Sequence, residues 1–373
     1  MNNQNLPRWG ALVATLALMT APDSFHGQCR AQSIAPEFVG AYTLTDLGPV
    51  AGVPTPYGGL AVDPANPDVL LLGGSANNTG GAIYSVPVIR NAENHIISFG
   101  TPTLRSTAPN IDGGLFITAE GLIVYAGYPI NTIGQILPGS TVPDRITSMS
   151  PLNVPSSLGA VTIVPSGFPG AGRWKTASYN GGGWSDLPAT GPDAQGLYTF
   201  GTATLVPGSN LSGPEGITYV PRCSPLIPGP AVMVAEYSAG RIAVLDVNAS
   251  GDPIWATKRI LVQSLSGAEG AAIDPLTGDF LFSTFGTSNR IWRVSGFAAF
   301  RCVADVIGSG GTSCDQTVDG DDFIAFINSF SIGDATVDPT ADLVGGGPTG
   351  SDPDGTIDGS DFIAFINAFA AGC

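Results

Sequence analysis

The sequence predicts an all-β propeller of five or six blades followed by a small α-helical domain. Three observations lead to this prediction: short alternating apolar runs recur along the body of the chain, a Gly-rich turn opens each of them, and a close internal duplication occupies the C-terminal end. With 51 Gly, 31 Pro and 43% hydrophobic residues, the chain combines many turns with enough apolar residues for a substantial core. This composition is typical of short strands joined by tight connections.

The body of the chain contains five recurring strand units. They begin at Gly58, Asp112, Leu158, Pro214 and Ala268. Successive starts lie roughly 45 to 56 residues apart, which is the length of a four-stranded propeller blade. We expect a strand near residues 42–47 to complete the last blade and close the ring. A β-sandwich is the competing fold, and the uniform spacing favours the propeller.

The chain divides into a leader (1–33), the propeller (34–298) and a C-terminal domain (302–373). Arg8 followed by an apolar stretch at 10–21 predicts a cleaved secretion signal, because that stretch is too short to span a bilayer. No later apolar run is long enough to cross a membrane, so we expect a secreted, extracellular or cell-envelope protein. Four cysteines remain after the leader, and pairing of Cys302 with Cys373 is the first guess, with free thiols as the alternative.

Residues 302–373 carry most of the net charge. The segment has 12 Asp and no Glu, Lys or Arg, so it contributes −12 of the net charge of −16. Carboxylates at this density repel one another unless cations bind between them, and they exclude nucleic acid as a partner. A solubilising acidic tail is the simpler alternative, but the acids are spaced and interleaved with aromatic residues.

The acidic segment is duplicated. Residues 322–330 match residues 361–369 at eight of nine positions. Before each match, oxygen-bearing residues alternate as they do in a calcium loop, which needs six to eight oxygen ligands. The predicted ligands in the first loop are Ser313, Asp315, Thr317, Asp319 and Asp322. In the second loop they are Asp352, Asp354, Thr356, Asp358 and Asp361. Gly311 and Gly350 fall at the first ligand position without a side chain, so we expect either that Asp305 and Asp342 reach in across an insertion or that water fills this vertex.

Two calcium loops that end in Asp, each followed by a helix, resemble a dockerin module that ends in Gly-Cys (372–373). The resemblance implies one or two bound calcium ions, a cohesin-like or cell-envelope protein partner, and an association with carbohydrate. Gln316 stands where a Gly would ease the sharp turn, so we expect the second loop to bind calcium more tightly. The apolar residues that follow each loop share one helical face, and we expect the two faces to pack together as the core of the domain. They are Phe323, Phe326, Ile327, Phe330, Phe362, Phe365, Ile366 and Phe369.

The propeller shows few signs of catalysis. His95 is the single histidine after the leader, so a histidine-centred zinc site is excluded, and no nucleophile elbow or phosphate loop occurs. His95 is expected to be a satisfied strand residue and not a catalytic base.

Three acids nevertheless occupy similar places in the strand units. Glu215 and Glu269 each precede the Gly that opens an innermost strand, and Asp112 lies nearly there in another unit. The body resembles NHL-repeat and lactonase-like propellers, in which an early-strand Glu binds a metal. These acids are therefore predicted either to bind a metal in the central channel, or to hydrogen-bond backbone amides at blade junctions or simply line a wet channel.

The sequence thus predicts an exported binding propeller held in place by a calcium-binding module. The alternative is a metal-dependent hydrolase or lactonase that acts at the channel, which convergent acids would favour. A shallow aromatic strip formed by Trp174, Tyr179 and Trp184 would favour carbohydrate binding, and ordinary packing is the other interpretation of those three residues.

Overall fold

Five antiparallel sheets follow one another along the chain and form a ring, with consecutive innermost strands in contact. The computed structural model describes residue 1 and residues 31–165, 168–221, 224–227, 229–286, 288–297, 304, 306, 318–343, 345–346, 352–353 and 355–371. The fold is a five-bladed β-propeller, which confirms the predicted fold class and decides between five and six blades. The predicted leader lies almost entirely outside the described residues, and all five cysteines lie outside them.

Each blade is built on a four-stranded sheet, in which the first strand lies at the axis and later strands lie progressively farther out. Blade 1 contains Leu60–Val62, Val69–Gly74, Ala82–Arg90 and Thr103–Thr107, with Ile96–Phe99 also pairing with its long third strand. Blade 2 contains Ile111–Ile117, Ile123–Gly127, Thr132–Ile136 and Arg145–Ser148. Blade 3 contains Leu158–Ile163, Trp174–Ser178, Gly183–Leu187 and Thr204–Val206, with a ribbon of Ala189–Thr190 and Thr199–Phe200 beside it. Blade 4 contains Pro214–Tyr219, Ala231–Glu236, Arg241–Asp246 and Arg259–Gln263. Blade 5 contains Ala268–Ile273, Phe280–Thr284 and Ile291–Ser295.

The N-terminal end of the described chain closes the ring. The strand Thr43–Gly48 pairs with Ile291–Ser295 and becomes the outermost strand of blade 5, as predicted. Ser33–Ile34 adds a fifth strand to blade 4, which the sequence did not indicate. Both pairings join the beginning of the propeller to its last two blades, so the ring is held by hydrogen bonds across its closure.

The innermost strands approach one another closely because glycine stands where they meet. A Cβ at Gly216 would lie 2.5 Å from the backbone nitrogen of Ala271, and one at Gly270 would lie 2.8 Å from the Cα of Gly59. A side chain at either position would collide with neighbouring backbone. The Gly-rich openings seen in the sequence therefore let adjacent blades meet at the axis.

Buried ion pairs join neighbouring blades at the end of the propeller where the innermost strands finish. Lys175 is fully buried, and its Nζ lies 2.6 Å from Asp252 and 2.8 Å from Asp186. Arg90 of blade 1 binds Asp274 of blade 5 at 2.6 Å. Each of these buried charges has a partner, as burial requires.

Two α-helices, Gly320–Ile332 and Gly359–Ala371, form the described part of the C-terminal domain with a short pairing of Gly345–Gly346 and Asp352–Pro353. The Phe326 and Phe365 rings stack with centroids 4.0 Å apart, and both side chains are fully buried. The two apolar faces therefore pack together, as predicted. Among the described residues, no helix has the length and apolar character needed to cross a membrane.

Candidate metal centre

Three acidic residues enter the propeller axis at equivalent points of their blades. Asp112, Glu215 and Glu269 each follow the first paired residue of an innermost strand, and each lies in a β-bulge. In blades 4 and 5 the bulge spans Pro214–Ile217 and Ala268–Ala271, whereas in blade 2 it spans Ile111–Leu115 and is one residue longer. The longer bulge accommodates the second Gly after Asp112, so the apparent one-residue offset in the sequence disappears in the fold.

The three carboxylates converge. One oxygen from each of Asp112, Glu215 and Glu269 lies within 4.8 Å of the others, and the side chains are only 1%, 4% and 1% exposed. Oxygens bound to one calcium ion lie up to about 5 Å apart, because each metal–oxygen distance is about 2.3–2.6 Å. The spacing therefore suits a shared cation.

Four of the six carboxylate oxygens lack a well-formed hydrogen bond within the described part of the chain. Both oxygens of Asp112, Oε2 of Glu215 and Oε1 of Glu269 are buried without a hydrogen bond. Hydrogen bonding to backbone amides at the blade junctions, the alternative predicted from the sequence, therefore does not satisfy these four oxygens. Buried carboxylate oxygens without donors are unfavourable unless a cation or a proton reaches them.

The pKa values of the three acids also indicate that the cluster favours a proton or a cation. Burial raises the pKa of Asp112 from 3.8 to about 7, although Glu269, Glu215, Asn77 and the amide of Gly113 lie close enough to lower it somewhat. Burial also raises the pKa of Glu215 well above its ordinary value, with the charges of Asp112 and Glu269 adding to the effect. The pKa of Glu269 is raised well above its ordinary value by burial first and by Asp112 second. A bound cation would reverse these effects by favouring the charged forms.

Asn77 is a fourth candidate ligand that the sequence did not indicate. It follows the second strand of blade 1 in the left-handed region (φ 62°), its backbone N–H donates to Ile111 at 2.9 Å, and its Oδ1 is buried without a hydrogen bond. Amide and carboxylate oxygens are ligands that calcium takes. The only sequence signal for this ligand was an Asn in a turn, and Asn is common in turns that bind nothing.

Aromatic rings surround this end of the axis. In blades 2 to 5 the residue directly after the second strand is aromatic, and we call these four residues the collar: Tyr128, Tyr179, Tyr237 and Phe285. Their backbone N–H groups donate at 2.8–2.9 Å to the residue that precedes each innermost strand. Neighbouring rings meet edge to face, with centroids 6.2, 5.9 and 6.1 Å apart in that order. The collar is thus continuous across four blades.

The collar and the acids lie at the same end of the propeller. In an antiparallel blade the second strand ends beside the beginning of the first strand. A collar residue, which follows the second strand, therefore lies at the same end as an acid at the start of the first strand. Burial raises the pKa of Tyr237, and the charge of Glu269 adds to this, followed by Tyr179 and Glu215. The Tyr237 hydroxyl is therefore within electrostatic reach of the acid cluster.

The other residues considered in the sequence take structural places. Trp174 and Trp184 are 3% and 0% exposed, so they are core residues, which confirms the packing interpretation for these two. Tyr179 is half-buried and belongs to the collar. His95 precedes the strand Ile96–Phe99, and its Nδ1 lies 2.6 Å from Asp279 of blade 5, as expected of a satisfied histidine.

The C-terminal loops are described in part. Ser313, Asp315, Thr317, Asp305 and Asp354 lie outside the described residues, as does the side chain of Asp352. The described members of the predicted ligand set are Asp319, Asp322, Asp342, Thr356, Asp358 and Asp361.

Asp322 and Asp361, the predicted last ligands of the two loops, are fully buried. Asp361 accepts hydrogen bonds from Leu343 at 2.6 Å and Asp358 at 2.8 Å. Asp322 accepts equivalent bonds from Val306 at 2.8 Å and Asp319 at 2.9 Å. The duplication is therefore preserved in the geometry of these two carboxylates.

Asp342 lies against the second loop, where its Oδ2 accepts a bond from the amide of Gly355 at 2.9 Å. Thr356 and Asp358 are exposed on that loop, and Asp358 accepts a bond from Ser360 at 2.7 Å. The calcium site itself stays a prediction.

No protein-family model matches the chain, and no curated protein matches it. Among solved structures, an auxiliary nutrient binding protein from Bacteroides thetaiotaomicron is similar, with 12% identity, 61% of this chain and 56% of that chain covered, and a TM-score of 0.36. A putative gluconolactonase matches with 12% identity over 71% of this chain and 97% of its own, with a TM-score of 0.37. The glutaminyl cyclase of Myxococcus xanthus matches with 9% identity over 70% and 95%, with a TM-score of 0.41. The chain spans little more than half of the nutrient binding protein, and the fold assignment rests on the strand order described above.

Proposed function

We propose that the propeller binds a divalent cation at its axis and uses the cation to hold a small oxygen-bearing ligand. One observation carries the proposal: Asp112, Glu215 and Glu269 place buried oxygens within 4.8 Å of one another, and four of their six carboxylate oxygens lack a well-formed hydrogen bond among the described residues. An all-oxygen ligand set favours calcium, magnesium or manganese over zinc or copper. Asn77 supplies a neutral oxygen to the same set.

The bound cation would leave room for a ligand. Calcium takes about six to eight oxygens, and the four residues supply fewer unless their carboxylates bind through both oxygens. A ligand of the cation would lie against the collar, because the acids and the collar lie at one end of the axis. The acids would neutralise the ion, and their burial would limit the access of water.

Hydrolysis of a cyclic ester is the second candidate function. The convergence of three acids favours it, because a cation held this way polarises a carbonyl or a water molecule. Asp112, Glu215 and Glu269 would fix the ion, and the collar would orient the ester. Binding without turnover is our first proposal, because Glu236, a further buried carboxylate at this end, is held in ion pairs with Lys258 and Arg241.

For the C-terminal domain we propose that the two duplicated loops bind calcium and that the domain attaches an exported propeller to a cohesin-like or cell-envelope partner, in a carbohydrate-associated setting. The repeated hydrogen bonds of Asp322 and Asp361 and the contact of Asp342 with Gly355 support this proposal. Metal binding and folding of the loops would be coupled, because the segment 302–373 that contains them has 12 Asp and no basic residue.

Titration calorimetry of the full chain without its leader tests the axial site. Calcium and manganese are titrated separately into the wild type and into Glu269→Gln, and we expect the variant to lose one site while the C-terminal sites persist. Glu120→Gln, at an exposed turn of blade 2, is the matched control and should bind like the wild type. Unchanged stoichiometry and affinity in Glu269→Gln would exclude the acid cluster as the site.

The same preparations decide between binding and hydrolysis. A panel of five- and six-membered lactones is followed at constant pH with cation and with chelator. Cation-dependent turnover that Glu269→Gln abolishes and Glu120→Gln preserves would establish the hydrolase. Cation binding without turnover would support the binding propeller.

A further inference from the structure

The collar has features of a binding surface that the packing of the propeller does not require. All four rings are half-buried, whereas the aromatic residues of the core, such as Trp184 and Phe280, are fully buried. Within the described part of the chain, the hydroxyls of Tyr128, Tyr179 and Tyr237 make no hydrogen bond. The collar therefore presents apolar ring surface and three hydroxyls without partners at one opening.

We propose that the collar is the ligand-binding surface of the axial site and that its ligand is a neutral sugar ring. The C–H face of the sugar would rest against the aromatic rings, and one oxygen at its edge would reach toward the cation held by Asp112, Glu215 and Glu269. This inference rests on the proposed function, which supplies the cation.

Charge and chemistry at this end of the propeller select such a ligand. Three buried carboxylates repel anions, so nucleotides and acidic peptides are disfavoured, and a divalent cation leaves little negative charge to attract an organic ammonium ion. Aromatic faces bind apolar surface, and the hydroxyls of Tyr supply hydrogen bonds at the edges of the rings. A sugar ring offers both an apolar face of C–H groups and oxygens around its edge.

The shape of the site sets the size of the ligand. The acids are 1–4% exposed, so only a protruding atom reaches them, and the body of the ligand must lie on the collar. The rings come from four adjacent blades and form an arc with ring-to-ring steps of 5.9–6.2 Å. An arc of this kind suits one compact ring at the axis better than a long polymer along a groove.

Saturation-transfer NMR on the full chain without its leader tests the inference. The probes are the methyl β-glycosides of glucose, galactose, mannose and xylose, with choline as an organic cation, each with calcium and with chelator. We expect at least one glycoside to receive saturation at its ring C–H protons with calcium. Tyr179→Leu and Tyr237→Leu should each weaken its binding by about fivefold, since one stacked ring contributes on the order of 1 kcal/mol.

Two variants separate loss of the ring from loss of the fold. Tyr237→Phe keeps the aromatic face and removes the hydroxyl, so it should retain most of the binding, and Tyr84→Leu removes a half-buried tyrosine from blade 1 and should have no effect. Calorimetry with calcium is run on every variant, and an unchanged cation affinity shows that the axial site is intact.

The outcomes distinguish the two proposals. If calcium does not bind at the axis, the proposed function is wrong. In that case chelation would not reduce the binding of any glycoside. Calcium binding with no glycoside signal, an equal signal in Tyr179→Leu, or a signal from choline instead would each overturn the sugar inference while leaving the cation site in place.

Discussion

Replacing Asp112 with Asn should stabilise the propeller when no cation is present. Burial raises the pKa of Asp112 from 3.8 to about 7. One pKa unit corresponds to about 1.4 kcal/mol, so ionising this buried carboxyl costs roughly 4 kcal/mol. Asn has the same shape, carries no charge and can donate its amide N–H groups to Glu215 and Glu269. At pH 8 with chelator, we therefore expect the variant to be more stable by up to about 4 kcal/mol, or roughly 8 °C in melting temperature.

The pH dependence has a definite sign. Between pH 3.8 and about 7 the native state holds a proton on Asp112 that the unfolded state has released. Stability of the chelated wild type therefore falls as the pH rises through that window, and Glu215 and Glu269 add to the fall because their pKa values are also raised. Below pH 3.8 both states are protonated and the advantage of Asp112→Asn disappears.

A saturating cation should cancel this difference in stability. A ligand at about 1,000 times its dissociation constant stabilises the native state by about 4.1 kcal/mol, which matches the upper estimate of roughly 4 kcal/mol for the variant. The wild type should gain this amount and Asp112→Asn should gain much less, because it lacks one ligand charge.

Tryptophan fluorescence reports on the propeller alone. Residues 302–373 contain no Trp, so calcium binding there does not contribute to the signal. Unfolding is followed at pH 5 and pH 8, with chelator and with calcium, and Glu120→Gln serves as the control. If Asp112→Asn is less stable than the wild type in chelator at pH 8 while the control is unchanged, the acids have satisfactory partners and need no cation.

Three further predictions concern the scaffold. Gly270→Ala should destabilise the propeller by about 1–3 kcal/mol in denaturant unfolding, because its Cβ would lie 2.8 Å from backbone of blade 1, whereas Gly229→Ala has open space and should be neutral. Lys175→Met should destabilise it by about 3–5 kcal/mol, because two carboxylates would lose their buried partner, and this change should leave the affinity for calcium at the axis unaltered. Phe365→Ala should reduce the helical circular dichroism of the C-terminal domain and weaken calcium binding there, since it removes the ring stacked at the centre of that domain; unaltered calcium affinity would show that the helix packing and the loops are independent.

The propeller was predictable because its signals are local. Each innermost strand has glycine just before it or among its first few residues, where the blades approach closely. Four of the five predicted openings begin within innermost strands, and the fifth begins two residues before one. The closing strand was predictable because an alternating apolar run precedes the first unit with no partner of its own. Ser33–Ile34 was not, since two residues have no period and their pairing with blade 4 is entirely tertiary.

The metal centre was predictable in part. Glu215 and Glu269 share the same sequence context, so their equivalence is visible, whereas the place of Asp112 depends on a longer bulge that only the fold reveals. The collar was missed because its members lie far apart in the sequence and follow strands whose ends the pattern cannot fix. The sequence grouped Tyr179 with Trp174 and Trp184 because all three are aromatic. Only burial distinguishes them, and it assigns the two Trp to the core.

The two ends of the propeller differ in whether their buried acids have basic partners. Where the innermost strands finish, Lys175 and Arg90 each pair with a buried carboxylate, so those charges are neutralised within the protein. Where the innermost strands begin, three buried carboxylates have no cationic partner among the described residues, although Lys258 and Arg241 pair with Glu236 nearby. The chain therefore supplies basic partners to buried acids elsewhere in the same blades and omits them at the axis. Since an unpaired buried acid is destabilising, its repetition in three blades is best explained by a cation that comes from solution and binds at that end.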